Sequence, residues 1–231
     1  MLGIAKLGRR SRRVLVVLTI LALLPICGVL VHALIPPPMT MLMAGQALAG
    51  KGLDYRWRGL NDVSPNLVYA VIAAEDARFC SHQGFDIEAI RKAMRTNQEG
   101  GKVRGGSTIS QQTAKNVFLW PGRDWIRKGF EAGYTVLIEA VWTKRRIMEV
   151  YLNVAEWAPG VYGAEAASRH WFSKSARDLT PREAARLAAI LPSPRRYNAG
   201  TPGRYVRRRA ARVQASAQVV RNEGLAACVV K

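Results

Sequence analysis

The stretch Leu67-Val68-Tyr69-Ala70-Val71-Ile72-Ala73-Ala74-Glu75-Asp76-Ala77-Arg78-Phe79-Cys80-Ser81-His82-Gln83-Gly84 runs from a nearly continuous apolar segment into a dense polar one. Ser64-Pro65 stands just before it, an N-cap residue followed by proline at the first helical position. The pattern predicts a buried helix over 66–77, with Glu75 in its last turn and a polar loop ending at Gly84. Burial of a carboxylate at the end of an apolar helix raises its proton affinity, which suits a general base or acid. A Glu-Asp pair at a helix end is more often a solvated terminus. A single histidine such as His82 is more often a hydrogen-bonding brace than a catalyst, and bracing the loop beside the carboxylates is its expected role.

Helix signals continue outward from this stretch. Asp86 can cap a helix over Ile87–Gln98, with Ile87, Ile90 and Met94 on one face. Residues 99–106 hold four glycines and two cations and read as a mobile loop. A further helix is expected from Ser107 or Thr108 to about Phe118. Asp124 can cap a long helix from Trp125 to about Trp142, followed by another over Lys144–Leu152. Thr180-Pro181-Arg182-Glu183 combines a capping box with proline and opens a helix over Arg182–Leu191. An arginine-rich helix closes the pattern from Tyr205 to about Arg221. No stretch shows convincing strand alternation, so the domain is expected to be mainly α.

Val14 to Ile35 is 22 residues without Asp, Glu, Lys or Arg. In a helix this spans roughly 33 Å, enough for a bilayer core. The run is longer than the ~7–15 residues of a signal peptide's apolar region, and no clean cleavage site follows. Cations precede the run and none follows closely, which predicts a cytoplasmic N-terminus and an exported domain. Pro36-Pro37-Pro38 ends the helix. The expected organisation is a basic tail at 1–13, an anchor at 14–35, a connector with little regular pattern at 36–62, and one domain at 63–231.

The chain of 231 residues carries a formal net charge of +19, of which the N-terminal tail supplies only five. Such an excess implies a polyanionic partner: nucleic acid, phospholipid headgroups or a phosphorylated substrate. The anchor argues against nucleic acid. Cys27 lies within the anchor, while Cys80 and Cys228 would both be exported and could pair. No CxxC or clustered His/Cys pattern marks a zinc site.

Two further constellations carry chemistry. Arg127 and Lys128 lie four and three residues before Glu131, so the three can cluster on one helical surface. Taken alone, that is most simply an intrahelical ion pair worth ~0.3–0.5 kcal/mol. Gly106-Ser107-Thr108-Ile109-Ser110-Gln111-Gln112-Thr113-Ala114-Lys115-Asn116 supplies hydroxyl, amide and ammonium donors suited to a pyrophosphate and sugar hydroxyls. Val117-Phe118-Leu119-Trp120, with Trp125-Ile126, reads equally well as core packing or as a wedge in the membrane interface.

Five ordered blocks together resemble the peptidoglycan glycosyltransferases of the monofunctional biosynthetic type. They are Glu75-Asp76-x-x-Phe79-x-x-His82-x-Gly84; Gly106 to Gln112 with Lys115-Asn116; Arg127-Lys128-x-x-Glu131; Lys144-x-x-Ile147-x-Glu149-x-Tyr151-Leu152-Asn153; and Ala184-Ala185-x-Leu187-Ala188-Ala189-Ile190-Leu191-Pro192. The resemblance covers roughly Pro36 to Asn198. Ala199 stands where such proteins often have proline, and the segment after Gly200 matches nothing in the pattern.

The resemblance implies a lysozyme-like multi-helix glycosyltransferase domain behind a single transmembrane helix in the inner membrane, with the domain in the periplasm. It implies lipid II as substrate, a lengthened β-1,4 glycan as product, and Glu75 and Glu131 as the catalytic pair. Glu75 would act as general base, while Glu131 with Arg127 and Lys128 would organise the pyrophosphate. Lys115 and Lys144 would neutralise departing charge, and Asp76, His82, Ser107, Thr108, Gln111, Gln112, Asn116 and Asn153 would complete the substrate site. No cofactor is obligatory on this pattern. The family allows Mg²⁺ or Mn²⁺, although no ligand set is legible. The growing glycan, the anionic membrane, and cell-wall synthesis or division proteins are the implied partners.

Neither Ser-x-x-Lys nor Lys-Thr-Gly occurs, and too little chain remains for a transpeptidase domain, so cross-linking is expected to be left to other proteins. The rivals are a lysozyme-like glycan-cleaving enzyme and a membrane-tethered basic scaffold. Cleavage does not need the basic cluster, and a scaffold does not need the ordered polar blocks.

Overall fold

A computed structural model describes residues 8–98, 106–122 and 124–230, so most of the segment expected to be a mobile loop lies outside the described residues. The first helix, α1 (Arg9–Leu34), is the one among the described residues long and apolar enough to cross a membrane. Its last turns dock onto the rest of the chain: Trp142 Nε1 donates to Val29 O at 2.8 Å, and Arg146 donates to His32 O at 3.1 and 3.2 Å. Val29 is buried by this contact.

The segment expected to be an irregular connector is partly regular. Thr40 caps a short helix, α2 (Met41–Leu48), and Asp54–Tyr55 forms a strand, β1. A 3-10 turn follows at Leu60–Asp62. Strand β1 runs parallel to β3 (Val161–Tyr162), which pairs antiparallel with β2 (Glu156–Ala158). Strands of two or three residues are too short to show alternation, which is why the sequence pattern missed them.

The helices behind the site follow their caps closely. α3 (Pro65–Glu75) ends on Glu75, and Asp86 Oδ1 accepts from Ala89 N in the first turn of α4 (Ile87–Gln98). Thr108 and Gln111 form a capping box on α5 (Ile109–Phe118). Asp124 caps α6 (Trp125–Val141), and Thr143 caps α7 (Lys144–Val154). Ser64 departs from expectation: its hydroxyl makes no cap and instead donates to Leu179 O at 2.9 Å, tying α3 to a distant turn.

The core forms around α7, in which every residue from Ile147 to Val154 except Glu149 is buried. Helices α9 (Pro181–Ile190) and α10 (Arg204–Asn222) pack on α3, while α5 packs on α6 and α7. Helix α8 (Ala164–Phe172) was not foreseen. It begins on Gly163 at φ 88° with no side-chain cap and ends on Ser173 in the left-handed region, so neither usual end signal is present.

The chain beyond α10 folds back onto the domain. Cys228 bonds Cys80 in a disulfide that spans a sequence separation of 148 residues, and Arg145 Nη1 donates to Val229 O at 2.5 Å. The disulfide therefore ties the C-terminus to the loop that follows Glu75. Closing so long a loop restricts the unfolded chain, and removing such a bond is expected to destabilise the protein by about 2–5 kcal/mol. Reduction, or the pair Cys80→Ser with Cys228→Ser, should lower the thermal midpoint in detergent. An unchanged midpoint would show that the bond does not stabilise the fold.

Candidate active site

The end of α3 and the start of α5 face each other across a cleft of about 560 Å³, lined among others by Glu75, Asp76, Arg78, Glu88, Ser107 and Thr108. Asp76 builds its inner wall. The carboxylate is buried, and Oδ2 accepts from Ile109 N at 3.0 Å, the first amide of α5. The His82 imidazole donates from Nε2 to Asp76 Oδ1 at 2.9 Å, so His82 does brace the loop. Thr108 Oγ1 donates to Gly84 O at 2.6 Å. Gly84 sits at φ 86°, and a Cβ there would lie 2.7 Å from Thr135 Cγ2, so the loop can close onto α6 only with glycine.

That clamp fixes the register of α5, and one turn further on Gln112 reaches the cleft. Its Nε2 donates to Glu75 Oε2 at 3.1 Å, while its Oε1 accepts from Tyr151 OH at 3.3 Å. On the other side of Glu75, Arg209 of α10 places Nη2 3.5 Å from Oε1. Burial holds the Glu75 carboxyl above the usual glutamate range. The Gln112 hydrogen bond, Arg209 and Lys115 oppose that shift, and the Asp76 charge adds to it.

The second glutamate has different surroundings. Glu131 is buried on α6, with Arg127 Nη1 at 3.2 Å from Oε2 and Lys128 paired to Oε1. Lys128 Nζ also lies 3.5 Å from Ser107 Oγ, which joins this cluster to the rim of the Glu75 cleft. Lys115 feels both glutamates. Burial first, then the like charges of Arg127 and Lys128, pull its pKa down, while Glu131 and Glu75 push it up.

The structure thus brings Glu75, Asp76, His82, Ser107, Thr108, Gln112, Lys115, Arg127, Lys128 and Glu131 into one connected region. Gln111 serves as the cap partner of Thr108, with Oε1 accepting from Thr108 N at 3.0 Å. Asn116 is half-buried beside Lys115 on α5. Lys144 is held by Glu139 at 2.8 Å and lies over the Phe79 ring, beneath the loop. Asn153 does scaffold work away from the cleft: its amide donates to Arg58 O and Glu149 O at 2.8 Å and accepts from Arg58 N at 2.9 Å.

A sequence profile described as Transglycosylase matches residues 45–218. The chain belongs to the transglycosylase family. Its helical domain is the lysozyme-like architecture of that family, and the matched span begins inside α2, within the segment read from sequence as a connector. Curated relatives include a biosynthetic peptidoglycan transglycosylase of Caulobacter vibrioides, 52% identical over 96% of this chain and 100% of the relative. Proteins of the same name from Rhodospirillum centenum and Xanthomonas campestris pv. campestris are 52% and 51% identical, covering 96% and 95% of this chain and 96% and 94% of their own lengths.

Three site-building residues escaped the sequence reading: Arg209, Glu139 and Tyr151. Arg209 is one arginine among many on α10, with no local signal separating it from its neighbours. Glu139 is a helix-interior acid that accepts from Ser110 Oγ, 29 residues away, and from Lys144, five residues on in the next helix. Tyr151 falls inside a recognised block, but its hydroxyl's partner was not predictable. Among the described residues no group of three or more His, Cys, Asp or Glu is placed to hold a metal, and both Glu131 oxygens are paired with Arg127 and Lys128.

The apolar stretch beside the site splits in two. Phe118 stacks on Tyr134 and Leu119 is buried, whereas Trp125 and Ile126 are 91% and 72% exposed. An apolar groove of about 630 Å³, lined by Pro25 and Ile26 of α1 and by Ile126, Phe130, Tyr134 and Leu137 of α6, continues that exposed face.

Proposed function

We propose that this transglycosylase polymerises lipid II into a β-1,4 glycan strand with release of undecaprenyl pyrophosphate. The observation that carries the reading is Glu75, a desolvated carboxylate in a cleft whose rim joins a cluster of cations through Ser107 and Lys128. The curated relatives, named biosynthetic peptidoglycan transglycosylases over nearly their whole length, support it.

Glu75 accepts the proton of the acceptor GlcNAc 4-hydroxyl as that oxygen attacks the anomeric carbon of the donor MurNAc. The anomeric carbon–phosphate oxygen bond breaks, and attack from the opposite face inverts α to β. Charge grows on the leaving pyrophosphate, where fixed cations are worth most. Lys115, Arg127 and Lys128 supply them, and Glu131 holds Arg127 and Lys128 in place. A buried, amide-tethered base keeps its geometry through the cycle, since Gln112 and Arg209 both orient its oxygens.

Glycan cleavage is a poorer fit. A hydrolase commonly needs a second free carboxylate across the bond, and the others lining the cleft are engaged: Asp76 with Ile109 N and His82, Asp86 and Glu88 with Arg78. α1 serves as a single-pass anchor in the inner membrane, N-terminus in the cytoplasm and domain in the periplasm. A disulfide between Cys80 and Cys228 accords with an oxidising compartment. The exposed Trp125-Ile126 face dips into the interface beside α1.

Glu75→Gln should leave the protein folded and reduce lipid II polymerisation in detergent by at least ~10²-fold. Glycan synthesis near the wild-type rate would refute the role of Glu75. Arg209→Met removes a charge that favours the Glu75 carboxylate, so the Glu75 pKa should rise further. Because the base must be deprotonated, the acid limb of the pH–activity profile should move to higher pH. An unmoved limb, or one moved to lower pH, would contradict the coupling.

A further inference from the structure

Six arginines outside the site already described lie on α9 and α10, and three of them, Arg182, Arg186 and Arg207, share one cleft. Arg182 and Arg186 stand four residues apart on α9, and Arg204, Arg208 and Arg212 repeat at the same spacing on α10. Arg207 completes the group. Like charges at this helical spacing repel one another, and α10 contains no Asp or Glu to relieve it. Five of the six are exposed and Arg186 is half-buried, and among the described residues none of them forms an ion pair. Arg182, Arg186 and Arg207 line a cleft of about 160 Å³ together with Gln214. Arg207 is held at its mouth by donating to Pro202 O at 2.8 Å.

The geometry points to a second substrate-contacting site here, one that binds the free carboxylates of the peptide stems carried by the glycan. This rests on the reading of the protein as a lipid II polymerase. A pentapeptide on each disaccharide ends in at least one carboxylate, and the planar guanidinium fork is the side chain best matched to that group. Arg209, which touches Glu75, lies on the same helix about 160° around its axis from Arg207, so the arginine cleft and the Glu75 cleft occupy different flanks of α10. A lipid headgroup is the poorer fit: α10 packs on α3 and α9, whereas the anchor α1 packs on α6. A site that holds stems on the far flank of α10 would retain the strand between successive additions.

The test uses full-length protein in neutral detergent micelles and labelled, uncross-linked glycan strands, either with intact stems or stripped of them by an amidase. Stem-bearing strands should bind about tenfold more tightly at low salt, the equivalent of one charge-assisted contact. The variant R182Q/R186Q/R207Q, checked for folding by its thermal midpoint, should bind both strands alike. Equal binding of the two strands by the wild-type protein would overturn the proposal whatever the variant does. So would undiminished discrimination by a folded variant, or a variant that loses only its binding to phosphatidylglycerol vesicles. Binding is read without turnover, so a protein that discriminates stems yet makes no polymer would contradict the polymerase reading alone.

Discussion

A buried carboxylate must find donors or lose several kilocalories of solvation, and Asp76 finds two that matter. One is the first amide of α5 and the other is His82. Meeting that requirement locks the end of α3, the 77–84 loop and the start of α5 into one arrangement. From there the helical repeat places Gln112 against Glu75 one turn on and Lys115 one turn beyond that, towards the cations of α6. The neighbouring acids Glu75 and Asp76 thereby acquire opposite properties. Asp76 is saturated with donors inside the protein, while Glu75 is desolvated, lightly tethered and turned towards open space.

The second support comes from the far end of the chain. Helix α10 lies on α3 and brings Arg209 to Glu75, while the Cys80–Cys228 bond holds the C-terminus against the loop that Asp76 organises. Glu75 is therefore held from two sides, by the Gln112 amide and by the Arg209 guanidinium. Glu75 and Glu131 have opposite surroundings in this arrangement. Both oxygens of Glu131 are paired with cations, Arg127 on one and Lys128 on the other.

What the sequence made legible was local. Asp86, Thr108, Asp124 and Thr180 each announce a helix by a side chain that reaches its own first turn, and each helix begins there. Ser64 carries the same signal and spends its hydroxyl on Leu179 instead, because a long-range acceptor competes with the local amide. Helix α8 has no capping side chain at its start and a serine where glycine is usual at its end, so nothing marks it. Strand β1 exists only because it pairs with β3, more than a hundred residues away, and β2 and β3 form a local pair too short to alternate.

The site divides the same way. Residues adjacent in sequence to Glu75 and Glu131 could be named from sequence because the blocks are dense and ordered, and the structure sets them in one region. Arg209 and Glu139 were not, since their importance comes from what the fold sets beside them. Asn153 shows the reverse case: a polar residue inside a recognised block whose hydrogen bonds go to the backbone of Arg58 and Glu149.

The central claim is that the fold itself desolvates Glu75 to make it a proton acceptor tuned above an ordinary glutamate. Infrared difference titration of the full-length protein against Glu75→Gln isolates that one carboxyl. The account predicts that its protonated carbonyl band persists to a pH above the usual glutamate range. A band that vanishes at the ordinary glutamate value would contradict it.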